Sequence, residues 1–69
     1  MSNEVLELNK KGVTAAMRGS MQEAEQFFRS AANLDSEFSE AAFNLLKLLH
    51  INRRYHEAIQ IFNLFAKNK

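Results

Sequence analysis

Small and apolar residues recur at three- and four-residue steps along most of the chain, and the places where that rhythm breaks divide it into four predicted helices. Between Asn3 and Arg18 the residues Val5, Leu8, Gly12, Ala15 and Ala16 share one stripe, as in a helix with one buried side. Gly19 can take the left-handed conformation that ends a helix, and Ser20 with Glu23 three residues on has the form of a capping box. A second helix, about 21–34, sets Ala24, Phe27, Phe28, Ala31 and Leu34 inward. Asp35 and Ser36 offer side-chain oxygens to cap a third helix, about 37–52. This helix carries Ala41, Ala42, Phe43, Leu45, Leu46, Leu48, Leu49 and Ile51, apolar around more than half its circumference, so contacts on more than one side are expected. The fourth, about 55–67, repeats Ala58, Phe62 and Ala66 and adds Ile59, Ile61, Leu64 and Phe65.

The same chain compared with itself shows a repeat. Displaced by 34 residues, Glu23, Ala24, Gln26, Phe28 and Ala32 fall on Glu57, Ala58, Gln60, Phe62 and Ala66, all within one short window. A fixed period of that size is the mark of a stacked helical array. The expected fold is all-α: four helices in two antiparallel hairpins, stacked as a short solenoid in a single domain over 1–69. Repeat 1 covers about 5–38 and repeat 2 about 39–69.

Composition adjusts this picture only modestly. Sixty-nine residues at 46% hydrophobic and 25% charged suit one small domain, of a size that buries only about 60% of its unfolded surface. No cysteine is present for disulfides or thiolate metal sites, so stability must come from helix packing or from a partner. The net charge of +1 gives no field to steer the chain to nucleic acid or an anionic membrane. The N-terminus has no basic and apolar leader, and no apolar run approaches the roughly 18 residues of a membrane span. A cytoplasmic protein is the expectation.

With the repeat in hand, the chain resembles two tetratricopeptide repeats. In the first unit Leu8, Gly12, Ala15, Gly19, Ala24, Phe28 and Ala31 match that family's pattern of small residues where the two helices cross and an aromatic after a nearly fixed Ala. In the second, Tyr55, Ala58 and Phe62 match. Ser36 stands where the family usually has Pro, Arg53 where it prefers Gly inside the hairpin, and Leu46 where it has a small residue. The period also lies near that of pentatricopeptide arrays, which read single-stranded RNA but need several repeats and a more basic groove.

The resemblance implies a protein–protein interaction module with no chemistry of its own. A partner segment would lie on the concave face of the first and third helices, on Asn9, Val13, Ala16 and Met17 together with Phe43, Asn44, Lys47 and His50. Some relatives clamp a C-terminal carboxylate there with Lys and Asn. Here Asn9 and Val13 replace two clamp residues and only Asn44 matches, so an apolar or amphipathic segment is the better fit. The alternative function is a nucleic-acid-binding repeat using Lys10, Lys11, Lys47, Arg53 and Arg54.

Other chemistry finds little support. His50 and His56 flank one predicted turn without the spacing of a helical metal pair, and Arg53 and Arg54 suit the negative end of the third helix as well as a phosphate. No nucleophile elbow, Gly-rich cradle or carboxylate pair is present. The expectation is therefore no enzyme, no cofactor and no metal, and a protein or peptide partner rather than nucleic acid or membrane. Phe27, Phe28, Phe43, Phe62 and Phe65 stand at helical spacing as a core set, Phe65 joining Ile59, Ile61 and Leu64 among the residues that four short helices cannot all hide.

Those four residues give the expected self-association surface. A terminal repeat needs a polar outer face, yet Ile59 and Leu64 stand where the second helix has Glu25 and Ser30. A longer array, a different partner or a second copy would each cover this face, and an isologous homodimer is the commonest solution. Because Ser20–Lys69 contains neither Gly nor Pro, the turn at Asn52-Arg53-Arg54 could straighten and exchange the last helix between two chains.

Overall fold

Two turns of the same geometry fold the chain back on itself. At the first, the Gly19 N–H donates to the Ala16 carbonyl at 3.0 Å and the Ser20 N–H to Ala15 at 2.9 Å; at the second, Arg53 donates to His50 at 3.0 Å and Arg54 to Leu49 at 2.9 Å. This paired pattern satisfies the last free carbonyls of a helix and requires a left-handed residue. Gly19 fills it at φ 83° and Arg53 at φ 61°. Arginine thus closes the second hairpin in a conformation that costs an L-residue about 1 kcal/mol.

The computed structural model describes residues 3–35 and 39–66. They form four helices: α1 (Asn3–Met17), α2 (Met21–Leu34), α3 (Ser39–Ile51) and α4 (Tyr55–Ala66). The fold is all-α, built from two helical hairpins, with α2 packed on α1 and α3, and α3 on α4. The Cα atoms extend over 32 × 31 × 12 Å. That depth exceeds the roughly 5 Å of a single helix's Cα cylinder, so the helices stack more than one deep and the interior lies in seams where α1, α2 and α3 meet.

Two such seams hold the apolar residues. One joins Ala15, Ala24, Phe28, Leu45, Leu48 and Leu49; the other joins Val5, Ala31, Ala32 and Ala41. Phe28 lies so close to α1 that a Cβ at Gly12 would come within 2.6 Å of its Cδ1. The small residue of α1 is a seat for the aromatic ring of α2. α3 supplies residues to both seams, as expected of a helix coated on several sides.

Several expectations from the pattern are corrected. The Ser20 side chain makes no capping bond; its N–H is already held by Ala15 and its carbonyl accepts from Ala24, so the backbone motif does the work assigned to the capping box. Asp35 ends α2 and donates its N–H to Ala31, while Ser36 lies outside the described residues. Leu34 is exposed and Ala32 takes the inward place. Phe43 and Phe62 also leave the core, whereas Ile61 packs on the first seam and Phe65 on the second.

Candidate interaction surface

Position by position, the two hairpins repeat, and α3 covers the first while nothing among the described residues covers the second. Phe28 is 3% exposed and Phe62, one repeat on, is 59% exposed. Ala24 and Gly12 are buried, but their counterparts Ala58 and Leu46 are only half-buried. Glu25 is answered by Ile59, which is exposed. The result is an apolar groove of about 500 Å³ between α3 and α4, lined by Leu46, Lys47, His50 and Ile51 on one side and Ala58, Ile59 and Phe62 on the other.

Local sequence accounts for the open groove. Ala58, Ile61 and Phe65 form the inward stripe of α4 at three- and four-residue steps. Tyr55, Ile59 and Phe62 form the adjacent stripe and are all exposed. Leu46 replaces the glycine seat, so Phe62 has no cleft like that beneath Phe28. His50, which lines the groove, meets the Tyr55 ring edge-on at 5.2 Å. Of the expected self-association residues, Ile59 and Leu64 are exposed and Ile61 and Phe65 are half-buried against the core; Phe62 and Ile51 stand outward in their place.

The concave-face candidates separate in a similar way. Val13, Met17, Phe43, Lys47 and His50 are exposed, with the Lys47 ammonium 5.0 Å from the centre of the Phe43 ring. Ala16 is half-buried against the first seam. Asn9, expected to meet a partner, is buried instead, accepting from Asn44 Nδ2 at 3.1 Å and donating to Glu40 at 3.4 Å. A buried amide is stable only when its donors and acceptors are met, and these bonds tie α1 to α3.

A four-residue ion network links the hairpins and was not foreseen as a unit. Arg54 pairs through Nη1 with Glu25 Oε1, through Nη2 with Glu25 Oε2 at 3.1 Å, and with Glu57 at 2.7 and 2.6 Å. Arg29 reaches Glu25 at 2.9 Å and Glu57 at 3.4 Å. Hydrogen bonds from Arg54 hold both carboxyls below the usual glutamate range, and the carboxylates in turn raise the Arg54 guanidinium. Glu25 and Arg29 stand four residues apart on α2, and Arg54 and Glu57 three apart at the start of α4; their convergence requires the tertiary fold. Arg54, considered as a helix-end cation or phosphate contact, is engaged here, leaving Lys10, Lys11, Lys47 and Arg53 as exposed cations from the nucleic-acid set.

Among the described residues no three His, Asp or Glu side chains gather as a metal site, and no helix is long and apolar enough to cross a membrane. No family model and no solved structure matches the chain. Among curated proteins, 57 residues of it are 40% identical to Protein O-mannosyl-transferase Tmtc3 of Drosophila melanogaster. That match takes in 83% of this chain and 6% of that protein, so the mannosyl transfer in the name is said of the larger protein. The four-helix architecture and the match are compatible with a tetratricopeptide-like repeat.

Proposed function

We propose that this chain is a protein-interaction repeat that works by packing a segment of another protein on the face of α3 and α4. The observation that carries this reading is the contrast between Phe28 and Phe62, 3% and 59% exposed at the same repeat position. A side chain that α3 seals in one hairpin lies open in the next, beside exposed Ile51 and Ile59. Removing that apolar surface from water stabilises a complex by about 25 cal/mol per Å² before association costs. Val13 and Met17 of α1 and Phe43 of α3 are further exposed apolar side chains outside the groove.

Selection from a displayed library of helical peptides tests this reading, with counter-selection against Ile59→Glu. Peptides that compete with one another and lose binding to both Ile59→Glu and Phe62→Ser are the expected result. Selected peptides that bind these variants as well as the parent would remove the α3/α4 face from the proposal.

A further inference from the structure

The first hairpin is a template for what the second lacks. α3 covers it with Ala41, Leu45 and Leu48, all buried in the seams that hold Val5, Ala24, Phe28 and Ala31. One repeat earlier these three positions are Glu7, Lys11 and Thr14 of α1, all exposed. The two ends of the molecule are therefore unlike: polar at α1, apolar at α3/α4. A head-to-tail stack of identical chains would press Glu7 and Lys11 into the groove beside Ile59 and Phe62, and burying unpaired charges there opposes that assembly.

Charge separates the groove from its template. In the first hairpin Glu25 receives Arg54, from the turn that follows the covering helix. Ile59 takes that position in the second hairpin, so a covering element ending in the same arginine would meet no carboxylate there. Lys47 and His50 line the groove without an acidic residue, and exposed Arg53 stands at the adjoining turn. An isologous pair of these faces would bring two basic rims together, whereas an incoming helix with carboxylates beside its apolar stripe would complement them.

From these observations we infer that the open face takes one amphipathic helix of another protein, with Ala and Leu at the spacing of Ala41, Leu45 and Leu48 and acidic residues flanking that stripe. The inference rests on the interaction-repeat reading and narrows it to a partner chemistry. Lys47, His50 and Arg53 would select the flanks, while Leu46, Ile59 and Phe62 receive the stripe.

The test uses the full chain and two fluorescent, hydrocarbon-stapled helices of about four turns, identical in the Ala/Leu stripe and flanked by Glu in one and Lys in the other. The Glu-flanked helix is expected to bind one-to-one and at least about tenfold tighter than the Lys-flanked one, the difference closing at high salt. Ile59→Glu and Phe62→Ser should each abolish binding with helix content unchanged, since both side chains are exposed. Equal binding of the two helices, or binding that survives Ile59→Glu, overturns the inference while library peptides that still need Ile59 keep the broader reading. Self-association by light scattering that Ile59→Glu abolishes, with no displacement by either helix, makes a second copy the occupant and also overturns it. A monomer that binds neither helix and yields no face-directed peptide overturns both.

Discussion

The two hairpins share their turn, their period and the Glu-Ala-x-Gln-x-Phe window, yet one has a closed seam and the other an open groove. Two differences account for this. In the first hairpin Gly12 leaves a seat for Phe28 and α3 covers the ring; in the second Leu46 occupies the corresponding place and the covering helix is missing from the described residues. A repeated sequence therefore does not produce repeated burial, because a solenoid residue is buried largely by the following unit.

The largest expected effect follows from that contrast. Phe28→Ala should cost about 3–5 kcal/mol, as for other aromatic truncations in packed cores, while Phe62→Ala should cost under about 1 kcal/mol, as at exposed positions. Urea denaturation followed by helix content measures both. Similar losses at the two sites would mean that Phe62 is covered in solution, and a loss that grows with protein concentration would identify association as the cover.

Gly12 and Leu46 sharpen the comparison. Gly12→Ala gains about 1 kcal/mol in helix propensity but drives a methyl into the buried Phe28 ring, an overpacking that costs about 1–3 kcal/mol. A net destabilisation is expected from denaturation midpoints. Leu46→Ala in the second hairpin creates room where Gly12→Ala removes it, so the Phe62 ring should become less accessible to a soluble paramagnetic probe. Unchanged accessibility would show that the missing cover alone keeps Phe62 outward.

The turns give a smaller effect of opposite sign. Gly19 and Arg53 hold the same left-handed conformation, and only the second carries a Cβ. Arg53→Gly should stabilise the monomer by up to about 1 kcal/mol, the relief of strain being partly offset by the freer unfolded chain. It should also reduce any exchange of α4 between chains. A variant that melts at or below the parent temperature would place the Arg53 side chain in contacts that outweigh its backbone strain.

The parts of this molecule legible in its sequence are those governed by local rules. Helix period and the Gly19 break gave four helices close to their observed ends, and the 34-residue offset paired the hairpins. Excess apolar content in the last helix pointed to exposed Ile59 and Leu64. Which of its stripes faces inward depends on the crossing of α3 and α4, so Phe62, read as core, stands outward while Ile61 and Phe65 lie half-buried against the seams. Asn9 was placed by family position on a binding face, but it is buried, with its side chain hydrogen-bonded to Asn44 and Glu40 of α3. The convergence of Arg54 on Glu25 across 29 positions is likewise a product of stacking.

The ion network gives the smallest and most pH-specific prediction, and it tests the junction between the hairpins rather than either one. Arg54 depresses the folded-state ionisation of Glu25 and Glu57. Their contribution is therefore fully present above the unfolded glutamate value of about 4.3, and it fades as pH falls through the lower folded values. Glu25→Gln removes the carboxylate that both Arg29 and Arg54 contact, so the variant should melt below the parent at neutral pH, with the gap narrowing as acid protonates Glu25 in the parent. Added salt should narrow it further at neutral pH, because the Arg54 and Glu57 side chains are partly open to solvent. Thermal melts from acid to neutral pH at two ionic strengths read both dependences. A gap that stays constant across them would assign the effect of Glu25 to packing against its neighbours, and the hairpins would then be joined by their apolar seam and the Asn9–Asn44 bond without electrostatic help.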